Sequence, residues 1–68
     1  MDIAEVKKNL NKMVVYKGIS DIYKLRACII RKGEKGYFYE AELLDIKHGN
    51  SLIICGLNDI EKECTNDD

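Results

Sequence analysis

The 68-residue chain contains no proline and no tryptophan, one phenylalanine and one histidine. No proline- or glycine-rich stretch marks a linker and no segment repeats another, so the length allows one domain at most. Three cysteines, Cys28, Cys55 and Cys64, include no C-x-x-C pair. Their odd number, with no signal-peptide pattern, predicts reduced thiols in a cytoplasm and argues against a disulfide scaffold. One histidine and scattered cysteines lack the ligand spacing of zinc sites, so no metal and no cofactor is expected. No apolar run approaches the length that crosses a bilayer, so no membrane partner is expected.

Strong charge of one sign is also missing. The formal net charge is −1, which excludes a strong global pull toward nucleic acid. The charge is nonetheless divided along the chain. Residues 1–36 carry nine Lys/Arg and four Asp/Glu (+5), and residues 37–68 carry two Lys and eight Asp/Glu (−6). Pairing between strands of the two halves would cancel this. The less favoured reading is a basic patch that binds an anion.

What the chain does have is a long alternating segment. Tyr23–Ile46 reads YKLRACIIRKGEKGYFYEAELLDI. Two stretches of apolar/polar alternation flank Gly33-Glu34-Lys35-Gly36, the pattern of a β-hairpin with one buried face. The two glycines are expected to supply positive-φ turn positions. A register that sets Arg31 opposite Tyr37 puts Ile29 against Tyr39, Ala27 against Ala41 and Leu25 against Leu43. It puts Ile30 against Phe38, Cys28 against Glu40 and Arg26 against Glu42 on the other face. A slip by one would set Ile29 against Glu40, so the unslipped register is the expectation.

The remaining elements follow from local signals. Asp2 and Glu5 have capping-box spacing, and Ile3, Val6 and Leu10 share a helical face, which predicts a short helix over about residues 2–11. Strands are expected over about 13–17, 22–32, 37–46 and 51–55. Lys47-His48-Gly49-Asn50 reads as a turn, and Leu57–Ile60 as one helical turn. Residues 61–68 read as an acidic, disordered tail. The fold class is therefore mainly β: a small antiparallel barrel of four to five strands spanning residues 1–60, with an N-terminal α-helix and a 3-10 turn near the C-terminus.

This pattern resembles SH3-like small barrels. The residues that carry it are Met13–Gly18, the long central hairpin, and Ser51–Cys55 followed by the turn Leu57–Ile60. The chain lacks the paired aromatics, acidic loop and tryptophan of peptide-binding SH3 domains, so polyproline binding does not carry over. The chain also looks like small accessory proteins encoded by phages and mobile elements of low-GC bacteria. That likeness rests on its Ile/Lys/Asn-rich composition, its V-x-Y-K-G start at Val14–Gly18, and the Y-x-L-x-x-C-I-x-R strand Tyr23–Arg31. It implies a protein acting in a host cytoplasm, where small phage barrels include inhibitors and ligand sponges that counter bacterial defences.

No catalytic constellation is present. His48 lies in a Gly/Asn turn, and Ser51 nearby has no acid to complete a triad. Gly33 and Gly36 punctuate a hairpin and form no phosphate loop. Glu40 and Glu42 lie two apart on one strand face, but Arg26 opposite favours structural pairing over acid/base work. Cys28, placed beside Glu40, would have a raised pKa and so a poorly reactive thiol. Ile30 and Phe38 would form an exposed apolar pair, which points to an interface and a homo-oligomer. Tyr16, Tyr23, Lys24 and Arg26, with Arg31 further along, group aromatic and basic side chains that could stack a base and pair a phosphate; ordinary barrel packing is the competing reading. The expected function is a non-enzymatic module that binds a host protein or a small nucleotide-like ligand. A nucleic-acid-binding barrel and a purely structural oligomer are the alternatives.

Overall fold

The computed structural model describes residues 1–63; Cys64 and the last residues of the expected tail lie outside the described residues. The chain runs through α1 (Ile3–Asn9), β1 (Met13–Tyr16), β2 (Asp21–Gly33), β3 (Gly36–Asp45) and β4 (Ser51–Gly56). A 3-10 turn (Leu57–Asp59) and β5 (Ile60–Lys62) follow. The strands make one antiparallel sheet in the order β4-β3-β2-β1-β5, whose edges β4 and β5 do not pair with each other. β5 corrects the expectation of a tail from residue 61. Glu61 and Lys62 pair with Val15 and Val14 of β1, because Ile60 is buried and draws the chain back across the sheet.

The capping box forms: the Glu5 backbone N–H donates to the Asp2 carboxylate at 2.8 Å, and the Asp2 N–H donates to Glu5 Oε1 at 3.2 Å. The helix is shorter than its apolar stripe. Leu10 turns to extended backbone, and Asn11 adopts φ 68, a left-handed conformation that asparagine tolerates better than most residues. The Asn11 N–H then donates to the Leu25 carbonyl, and the Leu25 N–H to the Lys12 carbonyl at 2.9 Å, so the exit from α1 is stitched to the middle of β2.

The hairpin register departs from the expected one. Leu25 pairs with Leu43 as predicted, but beyond a bulge at Arg26 the pairing shifts: Ala27 faces Glu42, Cys28 Ala41, Ile29 Glu40, Ile30 Tyr39 and Arg31 Phe38. The loop is the two residues Glu34-Lys35 between paired glycines, and this short loop fixes the far half in the slipped register. Only Gly36 has positive φ there, at 126; Gly33 does not, contrary to expectation. The bulge switches face parity. Ala27 and Ile29, expected in the core, lie on the outer face, and Cys28 and Ile30 move to the inner one. Tyr39 stays on the inner face but is 39% exposed.

The core sits between α1 and the inner sheet face: Val6, Val14, Tyr23, Leu25, Ala41, Leu43, Cys55 and Ile60. Leu25, Leu43, Val6, Val14 and Ile60 are fully buried. α1 is amphipathic and too short to persist alone, so docking its Ile3/Val6 face is what keeps it folded. A Cβ at Gly36 meets no atom within 4 Å, so only its backbone conformation resists substitution. Gly36→Ala is therefore expected to destabilise the fold by about 1–2 kcal/mol. Gly33→Ala is expected to cost less, since its Cβ meets the edge of the exposed Phe38 ring at 3.3 Å and the Gly36 carbonyl at an ordinary 3.7 Å. Urea melts of the two variants test the contrast.

Candidate functional site

The slipped register distributes the predicted site residues over two faces. On the inner face, Ile30 faces Tyr39 and Lys32 faces Tyr37, with the Lys32 ammonium 5.9 Å from the Tyr37 ring centroid. On the outer face, Phe38 faces Arg31. Ile30 and Phe38 are both exposed, at 66% and 47%, but they do not form the expected pair, because the bulge puts them on opposite sides of the sheet.

The expected ligand group is divided in the same way. Tyr16 and Tyr23 are inner-face neighbours with ring centroids 6.0 Å apart, and Tyr23 is buried in the core. Lys24 faces Leu44 on the outer side. The Arg26 guanidinium reaches Glu42 at 3.3 Å, as expected, and Arg31 pairs with Glu40. Both arginines therefore already hold carboxylates. The two ion pairs are partly exposed and contribute at most about 1 kcal/mol each. They engage both arginines with carboxylates on the face opposite Tyr16 and Tyr23.

Cys28 faces Ala41 and not Glu40. Its pKa is raised, as expected, but by burial and not by a neighbouring carboxylate. The Cys55 thiol is also raised, chiefly by burial, with Asp59 and Glu40 adding to the effect. Both are free thiols that resist ionisation. His48 has an acid that the sequence reading passed over: Asp45, at 3.0 Å from Nδ1. Asp45 also accepts from the Lys47 N–H at 3.2 Å, while the Ser51 hydroxyl donates to the His48 carbonyl at 3.4 Å. Those contacts close the β3–β4 turn, in which Gly49 and Asn50 both take positive φ. Among the described residues no group of three His, Cys, Asp or Glu side chains is placed to hold a metal ion, and no helix is long and apolar enough to cross a membrane.

A groove lies where α1 overhangs the far half of the hairpin. Ile3, Val6, Lys7 and Leu10 form one wall, and Cys28, Ile30 and Tyr39 the other, enclosing about 330 Å³. The helical stripe Ile3/Val6/Leu10 is legible in the sequence as a face that must dock on something. The bulge brings Cys28 and Ile30 beneath that stripe, and only the register reveals it. No protein-family model, curated protein or solved structure matches the chain.

Two titrations follow from the geometry. Burial, with the charges of Asp45 and Asp21 adding to it, raises the Tyr23 phenol above its ordinary 10.0. The stability this gives is present below that value and is lost as pH rises through the folded-state pKa. Tyr23→Phe is expected to move alkaline unfolding to higher pH, read by circular dichroism. The Ile22 N–H, donating at 2.8 Å, and then Lys47 hold the Asp21 carboxyl below 3.8. That contribution is present above 3.8 and fades as pH falls through the lowered value.

Proposed function

We propose that this chain is a small non-enzymatic binding module of SH3-like architecture, an accessory protein of a phage or mobile element that sequesters a host protein in the host cytoplasm and acts against its defences. The strand order β4-β3-β2-β1-β5 and the 3-10 turn leading into β5 support the SH3-like part of this reading. The observation that carries the binding part is the groove between α1 and the hairpin. Its lining is apolar apart from Lys7, and Ile30 in its wall is 66% exposed. Such a surface suits an apolar side chain of a protein partner, with Lys7 at the rim to meet an acidic neighbour. It suits a nucleotide poorly, since the two arginines lie on the opposite face and are already paired.

Ile30→Asp tests the reading directly. It is expected to leave the fold intact, because the side chain is already mostly in water. It is also expected to abolish capture of a host protein from bacterial lysate by the tagged chain. Capture that survives Ile30→Asp would remove the groove from the proposal. A nucleotide that raises the melting temperature of the wild-type chain would replace the protein partner with a small ligand.

A further inference from the structure

The two edges of the sheet are protected very differently. β5 is three residues long and carries Glu61 and Lys62, both exposed. Charges and shortness are the usual means by which a sheet edge is kept from pairing with another chain. β4 has neither. Its six residues, Ser51-Leu52-Ile53-Ile54-Cys55-Gly56, include no charge and no proline, and its ladder with β3 runs from Asp45↔Ser51 to Glu40↔Gly56 without a bulge. On its outer face Leu52 and Ile54 are 53% and 45% exposed. Among the described residues, the backbone groups on the side of β4 away from β3 have no strand partner.

We infer that β4 is a self-pairing edge: two copies of this chain join antiparallel through Ser51–Cys55 about a two-fold axis at Ile53, giving one continuous ten-stranded sheet. The segment is self-complementary about that axis. Ile53 faces Ile53 of the second copy, Leu52 faces its Ile54, and Ser51 faces its Cys55. Outer-face residues thus meet outer-face residues, and the apolar pair Leu52/Ile54 occurs twice. A register shifted by one would run the outer face of one copy into the inner face of the other. The lack of charge on β4 means that a second copy brings no like-charge repulsion. The other conceivable occupant, β5 of another copy, is half as long and would set Glu61 or Lys62 against an apolar edge. That head-to-tail contact would also not close on itself as a dimer. The inference uses a different surface from the groove under α1 and stands independently of it.

Cross-linking reads the register on two exposed positions. Residues directly opposite in an antiparallel pair lie within disulfide reach, and diagonal ones do not. A mixture of Leu52→Cys and Ile54→Cys chains is expected to give a disulfide-linked dimer on mild oxidation, and either variant alone is not. Light scattering of the wild-type chain is expected to give twice the monomer mass. Leu52→Lys/Ile54→Lys sets lysines against lysines across the axis and is expected to halve that mass with an unchanged circular dichroism spectrum. Mixing it with Leu52→Glu/Ile54→Glu is expected to restore the dimer, which misfolding of either variant could not do. A wild-type monomer at millimolar concentration, assemblies larger than two, or cross-linking in the single-variant samples but not in the mixture would overturn the inference.

Discussion

Between Leu25 and Ala27 the β2–β3 ladder takes in one extra residue, and the character of both faces depends on it. Before the bulge, odd-numbered residues of β2 point into the core; after it, even-numbered ones do. The position of the bulge is not arbitrary. Leu25 exchanges backbone hydrogen bonds with Asn11 and Lys12, the segment that leaves α1. Leu25 is thus held by the helix exit on one side and by Leu43 on the other, while the short glycine-bounded loop holds the far half in a different register. One residue has to absorb the mismatch between these constraints. Arg26 suits that role, since its long side chain stays in solvent and still reaches Glu42.

Much of the chain's apolar surface stays unburied. Eight residues make the core, while Ile30, Tyr37, Phe38, Tyr39, Leu52 and Ile54 remain exposed around the far half of the hairpin and on β4. α1 overhangs Ile30 and Tyr39 only as one wall of a groove, and both stay exposed. In a chain this small, marginal stability is the normal condition.

Much of the fold was legible in the sequence. Asp2 and Glu5 announced the helix start, Lys47–Asn50 the second turn, and Leu57–Asp59 the 3-10 turn, because each is a local signal read over a few residues. The register was not legible. Ala27-Cys28-Ile29-Ile30 are four apolar residues in succession, so alternation is silent over the stretch where parity changes. The same silence displaced Cys28 and separated Ile30 from Phe38. β5 was hidden for a different reason. Glu61 and Lys62 carry no apolar pattern, and only Ile60 holds them to β1. Asp45 was missed as the partner of His48 because a residue at the end of a strand was not counted with the turn that follows it.

β5 also sets the order in which the chain can fold. The three central strands are joined by short turns and can zip together from their loops. β1 cannot complete its ladder until Lys62 arrives to face Val14, forty-eight positions further along. Loop closure over so long a span is costly and comes late. During synthesis, then, Ile60 is absent from the core and one flank of β1 stays open until Lys62 has left the ribosome. The last short strand acts as the latch that closes the core.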